Sequence, residues 1–458
     1  MPGLYVHVPF CARACPYCDF DFEVGRSPAL AEFLNGLDRE LDGRLAEADA
    51  GREPGGLAGA GTDRELDARL SGAEAGREPA ARRVALPVVD GRGDMSHGPG
   101  RAGHVPGGMS QGPGDDGPAA QPGPTRAVIP PGTAWPTVYV GGGTPSLLGP
   151  DGLRALGSWI AGRFPGAGAE EYTVEVNPEH AGPALYAAIA ALGGTRVSLG
   201  VQTLDPVGLR ALGRAHAPAR AREAIAAARA AGLAVSADLI VGWPGQSADS
   251  LAADLAAVVD LGAAHVSIYA LTVEAGTPWE ALVRRGKRRA PDQDHQADML
   301  LAAETALVAA GLEHYEVASY AAPGQAARHN LGYWKWRDYL GLGPSAHSAV
   351  FAADGSVRRR GNCRGLAAWA VDPATPGELD LQGPRAAAAE GLWTGLRHLP
   401  GLDLAAFLAR FPAVDHGWIA RRTRRQVALG NLELGADVLR VAPGRWLWHD
   451  AISADLLE

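Results

Sequence analysis

The chain has 458 residues, 47% of them hydrophobic and 20% charged, with a net charge of -9. That length and apolar content suffice for two domains plus extra material, while the negative balance provides no global basic field to favour nucleic acid. Only four cysteines occur, three of them between Cys11 and Cys18, which excludes a disulfide framework and points to a reducing compartment, the cytoplasm.

The amino terminus runs directly into Leu4-Tyr5-Val6-His7-Val8, which alternates like a strand and lacks the basic and apolar regions of a secretory signal. No apolar run is long enough to span a bilayer. Pro9 closes the strand, and Cys11-Ala12-Arg13-Ala14-Cys15-Pro16-Tyr17-Cys18 follows. Three thiolates at this spacing can wrap one corner of an iron–sulfur cube on a single loop. An all-cysteine cubane takes four protein ligands, so a three-cysteine loop leaves one iron open to a reactant. The best-known occupant is S-adenosylmethionine, whose radical chemistry belongs to the cofactor. The alternative is structural zinc, with nearby His7 completing a Cys3His set. Cys363 stands alone and reads as an ordinary small side chain.

An amphipathic helix is expected over 29–45, with Leu30, Phe33, Leu34, Leu37 and Leu41 on one face. From about 43 to 132 the pattern is lost to Gly, Pro, Ala and Arg. Asp38-Arg39-Glu40-Leu41-Asp42 recurs as Asp63-Arg64-Glu65-Leu66-Asp67, a local duplication with too few copies for a solenoid. The Gly/Pro tract over 91–132 cannot bury enough apolar surface to offset its ordering, and 43–132 is expected to be a disordered insertion. A metal role for His97 and His104 within it is not expected.

Order returns with strands expected over 137–140, 172–176, 197–201, 233–241 and 265–271, alternating with helices over 150–163, 184–192, 217–231 and 251–261. Such alternation implies parallel strands with right-handed crossovers. About six units make an open or partial (β/α) barrel, with its site at the carboxyl ends of the strands. Four strand ends carry signatures there. Gly141-Gly142-Gly143 lets a ligand approach backbone N–H groups, or is simply a tight turn. Glu175 can hold an ammonium group, or is an exposed acid. Gln202 and Arg214 offer a polar pair for a ribose or carboxylate, or a surface ion pair. Asp238, inside an apolar strand, calls for a partner or ligand.

Tyr5-Val6-His7-Val8-Pro9-Phe10-Cys11, Cys15-Pro16-Tyr17-Cys18-Asp19-Phe20, Gly141-Gly142-Gly143-Thr144-Pro145-Ser146, Glu175-Val176-Asn177-Pro178, Gly200-Val201-Gln202, Gly213-Arg214-Ala215-His216 and Asp238-Leu239-Ile240-Val241-Gly242-Trp243-Pro244-Gly245-Gln246 occur in this order. The set resembles the radical S-adenosylmethionine enzymes of the oxygen-independent coproporphyrinogen oxidase group, across nearly the whole chain apart from the insertion. The resemblance implies that Cys11, Cys15 and Cys18 hold a [4Fe-4S] cluster. It implies that Tyr5, Gly142, Gly143, Thr144, Glu175, Gln202, Arg214 and Asp238 line the S-adenosylmethionine site, with Glu175 at the methionine amino group and Asp238 at the adenosyl end. An electron donor such as a flavodoxin or ferredoxin is implied with them.

Within that group, the decarboxylating oxidase of porphyrin biosynthesis has a further cysteine where this chain has Phe20, and an amino-terminal extension where Tyr5 stands almost first. His329-Asn330-Leu331-Gly332-Tyr333-Trp334 and Tyr315-Glu316-Val317-Ala318-Ser319-Tyr320 are similar instead to the heme-chaperone branch. That branch implies heme binding and transfer to acceptor proteins, respiratory ones among them, without coproporphyrinogen oxidase activity and with no catalytic residue assigned. Imidazole is a standard axial ligand of heme iron, so His329 is the candidate ligand, with Tyr333 and Trp334 packing the macrocycle. The competing reading is that His329 caps a turn and the aromatics are core. His347 is a weaker second candidate.

Beyond about 367 the chain is expected to be helical over 386–396, 404–411 and 419–429. A hairpin over 432–434 and 438–441 would follow, then a final element over 446–457, a winged-helix-like unit. Arg421, Arg422, Arg424 and Arg425 read as a solvated or partner-facing surface rather than a DNA-binding one. The expected organisation is the start of a radical S-adenosylmethionine core over 1–42, an insertion over 43–132, the rest of a partial (β/α)6 core with the heme motif over 133–350, and a smaller, mostly helical domain over 365–458.

Overall fold

The computed structural model describes residues 2–25, 28–50 and 133–457. Residues 51–132 of the expected insertion, including His97 and His104, lie outside them. The strands of the first part are β1 (Gly3–Val8), β2 (Phe10–Cys11), β3 (Glu23–Val24), β4 (Thr137–Gly142), β5 (Glu171–Val176), β6 (Arg196–Gln202), β7 (Ala234–Val241) and β8 (His265–Ala270). Strands β1, β4, β5, β6, β7 and β8 lie side by side in chain order, all parallel. Helices Leu30–Ala50, Gly149–Arg163, Pro183–Ala191, Pro218–Ala230, Ala248–Asp260 and Gln293–Ala309 connect or follow them. This is the α/β core expected from the alternation. The first helix runs on to Ala50, past the expected end at 45, and Gly43 lies within it.

Six strands that the periodicity missed extend the sheet. β9 (Glu313–Glu316) and β10 (Ser319–Ala321) add antiparallel at the β8 edge. β11 (Tyr339–Leu342) pairs parallel with β1 on its other side, and β12 (His347–Phe351) turns back along it. β13 (Val357–Asn362) and β14 (Pro376–Gln382) then complete a 12-stranded open sheet.

The pleat sorts the core strands. Leu4, Val6, Val8, Val138, Val140, Val174, Val176, Val197, Leu199, Val235, Ala237, Leu239, Val266 and Ile268 are buried in one apolar cluster with the helices. Residues of the other parity, such as Tyr139, Glu175, Ser198, Asp238 and Tyr269, are polar and line a cavity. Alternation of this kind puts successive side chains on opposite faces, so one sheet builds both the hydrophobic layer and a polar chamber.

The carboxyl-terminal part contains helices Pro384–Gly395, Leu404–Arg410, His416–Ala428 and His449–Leu457, and a three-stranded sheet of β15 (Leu402–Asp403), β16 (Leu432–Leu434) and β17 (Val438–Val441). Leu392, Phe407, Phe411, Ile419, Leu439 and Leu456 form its core, which also takes in Trp336, Ala349 and Val357 from the region before it. Two of the four expected surface arginines are tied down: Arg422 donates to the Leu456 carbonyl, and Arg425 pairs with Asp455. Among the described residues no helix is long and apolar enough to cross a membrane.

Candidate cofactor site at the carboxyl ends of the strands

A cavity of about 410 Å³ opens where the core strands end, and the loop carrying Cys11, Cys15 and Cys18 forms part of its wall. Four hydrogen bonds fasten that loop. The Trp279 amide donates to the Pro16 carbonyl at 2.8 Å. Asp21 Oδ2 accepts from Ser345 Oγ and from the Gly365 amide, each at 2.6 Å. The Asp21 carbonyl meets His7 Nε2 at 3.1 Å, while His7 Nδ1 meets the Tyr5 hydroxyl at 3.0 Å. Both nitrogens of His7 are thus engaged, by Tyr5 and by the Asp21 carbonyl, so in this structure His7 does not complete a Cys3His zinc set.

Cys11 Sγ lies 3.1 Å from Thr144 Oγ1, and Arg214 Nη1 donates toward Cys15 Sγ at 3.5 Å. Burial pushes the Cys11 thiol up to about 11 and the Cys18 thiol up to about 12. Ionising such thiols requires a bound cation, as metal ligation provides. Among the described residues no three His, Cys, Asp or Glu side chains converge on one metal position. A cubane asks for one thiolate on each of three irons. The donor set, its loop and its burial therefore fit an iron–sulfur cluster.

Two carboxyls stand opposite. Glu175 Oε1 accepts from the Tyr139 hydroxyl at 2.8 Å, and Oε2 accepts from the Gly142 amide at 3.1 Å. Gly142 has φ +107°, a left-handed value that favours glycine and turns its N–H onto the carboxylate. Burial, with Asp238 adding like charge, raises Glu175 to about 7 despite these donors. Asp238 accepts from Ser198 Oγ at 2.7 Å and from Ser236 Oγ at 3.4 Å, and burial raises it to about 6. Two buried acids held short of full ionisation favour a cation between them.

Arg214 supplies the positive wall. Its Nη2 donates to Asn177 Oδ1 at 2.7 Å and to the Gly200 carbonyl at 3.2 Å. A Cβ on Gly200 would stand 2.8 Å from Gln202 Nε2 and 3.1 Å from Asn177 Oδ1, so only glycine leaves that cluster room. Arg214 Nε is buried without a partner among the described residues, leaving a donor for a bound group. Gln202 holds φ 64°, an uncommon conformation for a side-chain-bearing residue that is often stored at functional sites.

The structure therefore brings Cys11, Cys15, Cys18, Gly142, Gly143, Thr144, Glu175, Gln202, Arg214 and Asp238 to one cavity. Tyr5 differs: it is not in the cavity wall, and its ring packs behind Tyr139 at 6.1 Å. Tyr139, Asn177, Ser198 and Tyr269 are wall residues that the sequence reading did not select. Three of them, Tyr139, Ser198 and Tyr269, share strand parity with Glu175 and Asp238, a signal visible in the alternation.

The heme motif lies elsewhere. Helix Arg328–Trp334 packs near the opposite, amino-terminal ends of β1 and β4. His329 is 3% exposed, with Nδ1 at 3.0 Å from Thr137 Oγ1 and Nε2 at 2.8 Å from the Tyr333 hydroxyl. Burial lowers it to about 3, so it is neutral, but both nitrogens are occupied. Trp334 lies under the Arg397 guanidinium at 4.6 Å. In this conformation His329 is an interior hydrogen-bonding residue. His347 is exposed at the start of β12.

A family model described as the Radical SAM superfamily matches residues 130–258. The heme chaperone HemW of Mycobacterium tuberculosis is 46% identical over 215 residues, which are 47% of this chain and 55% of that protein. Its namesake in Escherichia coli is 36% identical over 226 residues, 49% of this chain and 58% of that one. The matched region spans little more than half the length of these curated relatives. The solved structure of coproporphyrinogen III oxidase (HemN) from Escherichia coli, described as a radical SAM enzyme, aligns over 99% of this chain and 90% of its own with a TM-score of 0.69 at 17% identity, a likeness of fold. The chain is thus similar in sequence to the HemW heme chaperones over about half its length, matches the Radical SAM superfamily model over residues 130–258, and shares the fold of HemN.

Proposed function

We propose that this chain is a heme chaperone of the cytoplasm that carries a [4Fe-4S] cluster and S-adenosylmethionine and passes heme to acceptor proteins. The observation that carries the cofactor half is the shared cavity: Cys11, Cys15 and Cys18 on one wall, Glu175 and Asp238 on another, Arg214 between. The heme half rests on the similarity to the heme chaperones HemW. When bound, the cluster and S-adenosylmethionine supply one-electron chemistry that is the cofactors' own, fed by a donor such as a flavodoxin or ferredoxin.

The chain's residues have separate tasks. The Gly142–Thr144 turn and Glu175 hold an ammonium and carboxylate end, while Gln202, Arg214 and Asp238 hold the remainder. Tyr139 and the Gly142 amide orient Glu175 so that its charge faces inward. Heme contact at His329, Tyr333 and Trp334 requires His329 to exchange its Thr137 and Tyr333 hydrogen bonds for iron, at a cost of about 1–3 kcal/mol for each buried group left unpaired.

The test uses protein reconstituted without oxygen. Hemin titration should show saturable binding, and incubation with S-adenosylmethionine, reductant and coproporphyrinogen III should yield no decarboxylated product. Turnover of the porphyrinogen would replace the chaperone reading with the oxidase.

A further inference from the structure

A file of buried polar side chains runs from the cavity along the polar face of the sheet toward the amino-terminal ends of its strands. Ser236 Oγ is 3.4 Å from Asp238 Oδ1 and 2.8 Å from His265 Nδ1. His265 Nε2 is 2.8 Å from the Tyr315 hydroxyl, and that oxygen accepts the Ala327 amide at 3.2 Å. Ala327 is the residue immediately before helix Arg328–Trp334. Register explains the continuity: Ser236 of β7 faces His265 of β8. The next two amides of that helix, Arg328 and His329, donate to the buried Glu171 carboxylate at 2.9 and 3.0 Å.

Hydrogen-bond direction along this file is set by its ends. An ionised Asp238 can only accept, so Ser236 donates to it and accepts from His265 Nδ1–H. His265 Nε2 then carries no proton and accepts from the Tyr315 hydroxyl, whose oxygen is left for the Ala327 amide. If Asp238 is not a carboxylate, the file can reverse. His265 Nε2–H then competes with Ala327 for the Tyr315 oxygen, and the Tyr315 proton turns toward its neighbour Ser319. Burial holds His265 down at about 3, hence neutral, and Asp238 up at about 6, so near pH 6 and below Asp238 is the member whose charge a ligand changes.

We infer that Ser236, His265 and Tyr315 are positioning residues that couple occupancy of the cavity at Asp238 to the anchoring of helix Arg328–Trp334. The inference rests on the reading that the cavity takes S-adenosylmethionine. A ligand that keeps Asp238 ionised fixes the direction of the file and strengthens the Ala327 cap, so binding at one end of the barrel stiffens the helix at the other. The coupling is carried by one physical chain with two arrangements, which is what such a claim requires.

The experiment is hydrogen exchange at about pH 6 of peptides covering residues 323–334 in cluster-reconstituted protein, with and without S-adenosylmethionine. Addition should slow exchange there roughly two- to tenfold, the worth of one hydrogen bond. Tyr315→Phe, which removes only the hydroxyl, should abolish this difference while still binding S-adenosylmethionine. Binding without a change in exchange, or a difference that survives in Tyr315→Phe, overturns the coupling and leaves the cofactor site standing. Failure of the parent protein to bind S-adenosylmethionine overturns both. Should Tyr315→Phe not fold, Ser236→Ala breaks the same file with the same two outcomes.

Discussion

Glu175 shows how a single side chain links stability to ligation. Its folded value of about 7 lies above the ordinary 4.5, so between those values the native state holds more protons than the unfolded chain. Stability of the ligand-free protein should therefore fall as pH rises from about 5 to 7, and Glu175→Gln should flatten that slope in thermal melts. S-adenosylmethionine brings a cation that favours the carboxylate, and its stabilisation should be largest above pH 7. Glu175→Gln should weaken its binding about 10- to 100-fold, the worth of a charge-assisted contact, read by calorimetric titration. His329 makes the opposite case. Because its nitrogens serve Thr137 and Tyr333, His329→Ala should cost about 2–4 kcal/mol in denaturant unfolding, and a loss of hemin binding in that variant must be compared with its stability.

Helix Arg328–Trp334 has only seven residues and begins without a side-chain cap from its own Ncap residue. Its first amides are held instead by Glu171 and Tyr315 from the sheet. Glu171 also lies 3.5 Å from Arg196, so Glu171→Ala removes a cap and strands a buried guanidinium, for an expected loss of about 3–5 kcal/mol in chemical unfolding. None of this was legible locally: Thr137 is 192 positions from His329 and Glu171 is 158. The cysteine loop, glycine turn and strand-end acids were legible because each signature is contiguous and sits where a βα unit ends. Tyr139, Ser198 and Tyr269 were overlooked because the strands read as apolar runs, whereas their alternate positions form the polar wall. β11 was overlooked because its pairing with β1 depends on a contact across most of the chain.

At the scale of the molecule, the cofactor loop is held by distant parts of the chain. Asp21 binds Ser345 and Gly365, and the buried pair of Glu40 and Arg44 reaches Gly343, Ser348 and Asn362. Asp21→Ala should leave the core folded but lower the iron retained after gel filtration, because the loop loses both contacts beyond β11. The account as a whole depends on a cubane with one iron free for S-adenosylmethionine, seated between the cysteine loop and Glu175. Electron paramagnetic resonance of the reduced, oxygen-free protein tests that most directly. It should show a [4Fe-4S] signal that changes on addition of S-adenosylmethionine and is lost in Cys15→Ser. A cluster signal indifferent to S-adenosylmethionine, or stoichiometric zinc with no iron, would contradict it.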